Sequence, residues 1–440
     1  MASVARNRSR TFASLKFRNY RLFAGGSFLS NIGTWLQRVA QDWLVLTLTG
    51  SAGALGITTG LQFLPTLLFS PFAGVLADRY AKRIVLNWTQ SIMGITALVM
   101  GIMAVTHTIN VWHVYVLTFL FGTASALDIP ARQAFVNEMV DDTYLANAVG
   151  LNSASFNLAR MIGPALAGVL IALGGSGVAA TGWVIMLNGV SYGAVIISLM
   201  LMRQSEMRPT RPIGRAKGQL RDGVRYVRSR PDIMLILVIV FCAGTFGFNF
   251  QMTTALMATE VFHKGAGEYG LLGSILAIGS LGGSLVAARR ARPRQAIIIG
   301  CSLAFGIVEI ASGLAPSYLT FAISLPLCGV TSLLMIATAN AFVQMSVSAE
   351  MRGRVMALYM CIFMGGTPLG APVLGWVAEQ WGARWTLIGG GGLTALGTLL
   401  ATLFMSRNQG VRFTPHLRPR PGFSIGHGEG EVVAETVVSA

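Results

Sequence analysis

Residues 161–202 read MIGPALAGVLIALGGSGVAATGWVIMLNGVSYGAVIISLMLM, without one charged side chain. A helix needs about 20 apolar residues to cross the roughly 30 Å hydrocarbon core of a bilayer. This stretch holds two such lengths joined at Gly174-Gly175-Ser176-Gly177. Lipid offers no partners to backbone N–H and C=O groups, so each length must satisfy its own as a helix, and the stretch is a hairpin. Ile310 to Ala349 is likewise free of charge. Length is therefore counted in spans.

Working outward by the same rule, spans fall at 20–47, 53–77, 84–106, 111–135, 145–173 and 178–202, then at 232–261, 268–288, 295–315, 317–345, 354–380 and 385–406. The fold class this predicts is all-α and membrane-embedded, with twelve transmembrane helices in two six-helix, pseudo-symmetric bundles. The bundles occupy 20–202 and 232–406, flanked by a basic arm at 1–19, a basic linker at 203–231 and a tail at 407–440 whose polar, aperiodic text predicts disorder. An internal repeat at an offset of 208 supports the halves. Gly163-Pro164-Ala165-Leu166-Ala167 falls on Ala371-Pro372-Val373-Leu374-Gly375, and Gly74 falls on Gly282. Duplicated halves are the mark of secondary transporters, with the solute site between them.

Of the 440 residues 53% are hydrophobic and 11% charged, against about 25% charged in soluble domains. The mean hydropathy is +0.62. A net charge of +16 in a soluble chain would point to nucleic acid, but its placement excludes that. Of 33 Lys and Arg, 28 lie in the two terminal segments or in the loops near 79–83, 203–230, 289–294 and 352–354, and the opposite loops hold only Lys264 and Arg384. By the positive-inside rule both termini and the linker face the cytoplasm, in a multi-pass protein of the plasma membrane. Within the linker, Leu220 to Val227 is amphipathic and suits the anionic inner leaflet.

Cys242, Cys301, Cys328 and Cys361 are scattered in apolar runs and read as core thiols. His107 and His113 flank one turn without further ligands, so no metal site is expected. No phosphate-binding Gly-x-x-x-x-Gly-Lys-Ser/Thr loop occurs, and Gly390-Gly391-Gly392 lies in an apolar helix with no strand before it. No cofactor is expected.

Between spans two and three stands Gly74-Val-Leu-Ala-Asp78-Arg79-Tyr-Ala81-Lys82-Arg83, and span five carries Arg160, Gly163-Pro164 and Ala167-Gly168. The first resembles the signature loop of the major facilitator superfamily, with Ala81 where the family has glycine. The second is similar to its antiporter signature. Asp128-Ile-Pro130-Ala-Arg132-Gln133, Arg352-Gly-Arg354-Val355-Met356 and the text from Gly33-Thr-Trp35 to Asp42 resemble the drug:proton antiporter branch of the transmembrane secretion effector type, which includes macrolide and siderophore exporters. Over residues 15 to 405 the resemblance implies alternating access. It implies a gate in which Asp78 caps span eleven near Gly353 and Arg354 with Arg132 in reach, and a span five that bends at Pro164 against span eight. Span four lacks the family's Arg-x-x-Gln-Gly.

A charge inside a span costs about 2.5–3.5 kcal/mol on insertion scales and needs a reason. Arg38 and Asp42 are four apart on span one and can pair on one face, either fixing the helix end or serving Asp42 as a proton acceptor. Glu309 in span nine is the rival proton site or a structural acid. Asn31, Gln62, Asn249, Gln251, Asn340 and Gln344 are singly interhelical links or together the wall of a cavity. The reading is a proton-driven exporter of a small amphipathic or hydrophobic compound, with lipid, protons and the solute as partners, a monomer, and no enzyme. The competing readings are a metabolite importer of the same fold, a membrane-embedded enzyme and a transporter-like sensor.

Overall fold

The computed structural model describes residues 10–208, 219–290, 292–408, 411–416 and 422–427; the side chains of 70–79, 219–220 and everything beyond 407 lie outside this description. Helices α1 (Arg18–Thr49), α2 (Ala52–Arg79), α3 (Lys82–Val105), α4 (Val111–Val136), α5 (Asp142–Leu173) and α6 (Val178–Met200) form the first half. A short helix α7 (Gln219–Arg228) stands where the linker is amphipathic and buries Val227 among the second half's apolar side chains. The second half comprises α8 (Pro231–Cys242), α9 (Phe250–Leu256), α10 (Ala266–Ala288), α11 (Gln295–Gly313), α12 (Tyr318–Ser346), α13 (Ala349–Trp381) and α14 (Arg384–Asn408).

Among the described residues, eleven segments are long and apolar enough to cross a bilayer, with α8 to Val261 taken as one. The remaining long helix is α1, of 32 residues. Its apolarity is diluted by Asn19, Ser27, Ser30, Gln37, Gln41 and Asp42, all buried against protein rather than lipid. Sequence hydropathy and structure therefore agree on twelve helices once the inward face of α1 is recognised.

Two departures from the sequence reading matter. The seventh span is broken: α8 runs into a wide π-type turn at Ala243–Gly247, and Phe248 and Asn249 leave helical geometry before α9 begins. The tail, expected to be disordered, pairs Val411–His416 with Gly422–His427 as an antiparallel hairpin, along text that alternates apolar and polar residues.

The halves meet along α2 with α13 and α5 with α10, a pseudo-symmetric exchange of second and fifth helices. Close approach explains the repeated Gly-Pro text. Gly168 faces the carbonyls of Ala266 and Gly267, and across the other seam Gly375 faces Gly53 and Gly56. Both seams lie toward the end remote from the basic loops.

Candidate functional site

A cavity of about 180 Å³ opens between the halves. Helix α1 contributes Trp35, Arg38 and Val39, α2 contributes Thr59 and Phe63, and α5 contributes Arg160 and Pro164. The second half answers with Phe248 and Asn249 from the break, Phe250 and Gln251 from the start of α9, then Thr254, Tyr269, Gly273, Leu276 and Thr367. The break places these side chains. Gly366 and Gly370 of α13 press on Gly244 and Thr245, where any larger residue would collide with the backbone. The Asn249 side-chain amide donates back to the Thr245 carbonyl at 2.9 Å. Unwound backbone in a membrane protein persists only where it is buried in protein or lines a cavity, and π-type turns recur at functional sites.

Asp42 sits one helical turn beyond Arg38 and is 1% exposed. Its Oδ2 accepts from Gln251 Nε2 at 2.7 Å and from the Tyr269 hydroxyl at 2.7 Å, while the buried Oδ1 has no partner. Both donors belong to the other half. The expected Arg38–Asp42 ion pair does not form. The Arg38 guanidinium instead lies 4.6 Å from the centre of the Trp35 ring and 5.6 Å from that of Phe63. An aromatic face holds a cation without the desolvation that a second buried charge would need.

At the remote end a second contact joins the halves. Glu379, on the last turn of α13, accepts from the Gly53 amide at 3.0 Å and from the Ser51 hydroxyl, so it caps α2 from outside its own half. Glu309 is buried among the backbones of α14 and of the break, near Gly247 and Gly390, and its Oε2 has no partner.

The model of the transmembrane secretion effector family, a branch of the major facilitator superfamily, matches residues 9–418. The chain belongs to that family. Among its relatives, the staphyloferrin A transporter of Staphylococcus aureus is 25% identical over 82% of this chain and 90% of its own. The enterobactin exporter of Citrobacter koseri is 26% identical over 83% and 82%. The macrolide efflux protein A of Streptococcus pyogenes is 23% identical over 85% and 93%. Similar solved structures include a bacterial homologue of the lysosomal transporter Spinster, with a TM-score of 0.72 at 15% identity, covering 91% of this chain and 99% of that one. A D-xylose–proton symporter has a TM-score of 0.68 at 12% identity, over 88% and 97%. Family and relatives are transporters, not enzymes.

Against the family's motifs, the side chains of Gly74, Asp78 and Arg79 fall outside the described residues, and so does the contact of Asp78 with α13. The other gate residues, Arg352 apart, have partners among the described residues. Lys82 pairs with Glu138 at 2.7 Å, and Arg83 donates to the Met200 carbonyl at 3.2 Å. Arg132, expected within reach of Asp78, donates to Asp128 at 2.9 Å and to Ser27 at 3.0 Å, while Thr89 and Gln90 also donate to Asp128. Arg354 pairs with Asp222 of α7 at 3.2 Å, and Arg352 is exposed.

The span-five residues converge on the site. Arg160 lines the cavity and donates to Ser280 at 3.2 Å. A side chain at Gly163 would strike Trp35, and beside Pro164 the Ala165 amide donates to Ser274 of α10 at 3.0 Å. Of the six polar candidates only Asn249 and Gln251 line the cavity. Gln62 is buried with its Oε1 unpartnered, Gln344 donates to Asn340, and Asn31 does not border the cavity. Tyr269 and the aromatic wall escaped sequence reading, because a tyrosine or phenylalanine in an apolar span looks like ordinary packing. His113 has a structural task, completing the reciprocal cap of α4 with Asn110.

Proposed function

We propose that the protein is a secondary exporter that moves a small amphipathic compound by alternating access, with Asp42 as the group that takes up and releases the exchanged proton. The observation carrying this reading is the bridge from Asp42 to Gln251 and Tyr269, a carboxylate held across the interface that must separate when the remote end opens. Seams of α2 with α13 and α5 with α10 at the remote end support a cavity reached from the basic end. That end is cytoplasmic by the charge bias. Siderophores and macrolides, the cargo in the relatives' names, give the compound class.

In the cycle, opening the remote end strips Asp42 of both donors and exposes it to a proton. Closing restores two donors that favour the carboxylate and return the proton to the other side. The test uses proteoliposomes with an imposed pH gradient and a panel of siderophores and macrolides. Asp42→Asn is expected to lose gradient-driven accumulation while retaining downhill exchange. If Asp42→Asn still accumulates cargo uphill and Glu309→Gln does not, the proton path runs through α11 instead.

A further inference from the structure

The cavity holds two guanidinium groups and, among the described residues, no carboxylate within ion-pair distance of either. Arg38 on α1 and Arg160 on α5 approach the same ring, their guanidinium carbons 4.6 and 5.7 Å from the centre of Trp35. The Nε of Arg38 is buried and has no hydrogen-bond partner, and Arg160 spends one donor on the neutral Ser280 hydroxyl. Asp42, the acid one turn away, is occupied by Gln251 and Tyr269. Aromatic faces offset part of the cost of two like charges in a buried site, but they leave most guanidinium donors unused. Arginine forks are matched in shape and charge to oxyanions.

We propose that the cargo bears an anionic oxygen group, of the carboxylate, sulfonate or acidic enol and phenol class, which seats between Arg38 and Arg160 while its apolar body lies on Trp35 and Phe248. The inference deepens the export reading and rests on it only for taking this cavity as the cargo site. A volume of about 180 Å³ suits an acidic group with an attached ring, leaving a larger body to extend toward the opening. Release follows from the same residues. When the remote end opens, Asp42 loses its two donors and lies one turn from Arg38, where it competes with the anion as counter-charge. The anion therefore leaves before Asp42 is protonated, since a proton on Asp42 would strengthen anion binding rather than weaken it.

Calorimetry on the full chain in detergent, against micelle blanks, tests this with two probes that differ in one group: 8-anilinonaphthalene-1-sulfonate and its uncharged parent N-phenyl-1-naphthylamine. The sulfonate is expected to bind at least tenfold more tightly, the scale of a charge-assisted pair. Arg38→Gln and Arg160→Gln should each remove most of that preference, while Arg38→Lys, which keeps the charge, should retain part of it. Equal affinity of the two probes for the wild-type protein overturns the proposal without any variant. So does a sulfonate preference that survives in both Gln variants. The assay is independent of the proton reading. Asp42→Asn that keeps uphill transport removes Asp42 as the proton carrier, and a sulfonate preference lost on Arg substitution would still uphold the anion site.

Discussion

Asp42 and Tyr269, 227 positions apart in the chain, share a 2.7 Å hydrogen bond across the interface of the two halves. Because the carboxylate is buried and its second donor, Gln251, comes from the first turn of α9, just after the break, one acid on the first half holds two separate elements of the second. In the proposed cycle the closed end is thus tied to the ionisation of a single residue. The bridge itself, the Glu379 cap and the buried Glu309 each offer a test of that arrangement, and the charge bias sets its orientation in the membrane.

Removing one donor should loosen the closed end without dismantling the fold. Tyr269→Phe keeps the ring and deletes only the hydroxyl, so it forfeits a hydrogen bond to a charged group, about 1.5–3 kcal/mol. Spin labels at Leu173 and Leu314, exposed residues at the remote end, should gain a long-distance population in the variant, and Gln251→Ala should do the same. An unchanged distance distribution in both variants would deny the bridge any part in holding that end shut.

Glu379 should act as a second, weaker latch. Its cap on α2 is exposed, so the loss in Glu379→Ala falls toward the lower part of the 0.5–2 kcal/mol range for helix caps. The Asp42 bridge and the Glu379 cap share no partner. Their effects on the free energy of opening, read from the populations of the label distances, should therefore add. Strong non-additivity in the Tyr269→Phe, Glu379→Ala double variant would mean that the two contacts open as one unit.

Glu309 carries a buried oxygen with no partner, so replacing the carboxyl by an apolar group of similar size removes an unsatisfied atom. Glu309→Leu is expected to raise the unfolding midpoint, by the equivalent of about 1–3 kcal/mol, and to leave export within about twofold, a tolerance corresponding to about 0.4 kcal/mol. Loss of export in a well-folded Glu309→Leu protein would transfer the proton role to α11.

Orientation follows from the basic loops. In a cysteine-free background an impermeant thiol reagent added to whole cells should label a cysteine at Gly265 and spare one at Ser205, because the linker belongs to the basic end. Labelling at Ser205 from outside would invert the assignment.

Hydropathy, charge bias and the Gly-Pro repeat were sufficient to read the twelve helices and the two halves from text alone, because a bilayer demands long apolar segments and sorts basic loops to one side, while the family was legible only through the resemblance of texts such as Gly74 to Arg83 and Arg160 to Gly168. That Asp42 needs polar partners was legible too, since an acid inside a span must be compensated. Its partners were not. Spacing on one helix pointed to Arg38, four residues away, yet the carboxylate bonds to Gln251 and Tyr269 and the guanidinium rests on Trp35 and Phe63. Helical periodicity describes neighbours along one helix and is silent about which helix from the other half stands opposite. The break at Ala243–Gly247 was hidden for a related reason. Its apolar residues satisfy the rule for a continuous span, and the kink arises where Gly366 and Gly370 of a distant helix approach the backbone so closely that α8 and α9 do not run straight through. Only the packed structure supplies that contact, and with it the cavity that unites Arg38, Arg160 and the aromatic wall.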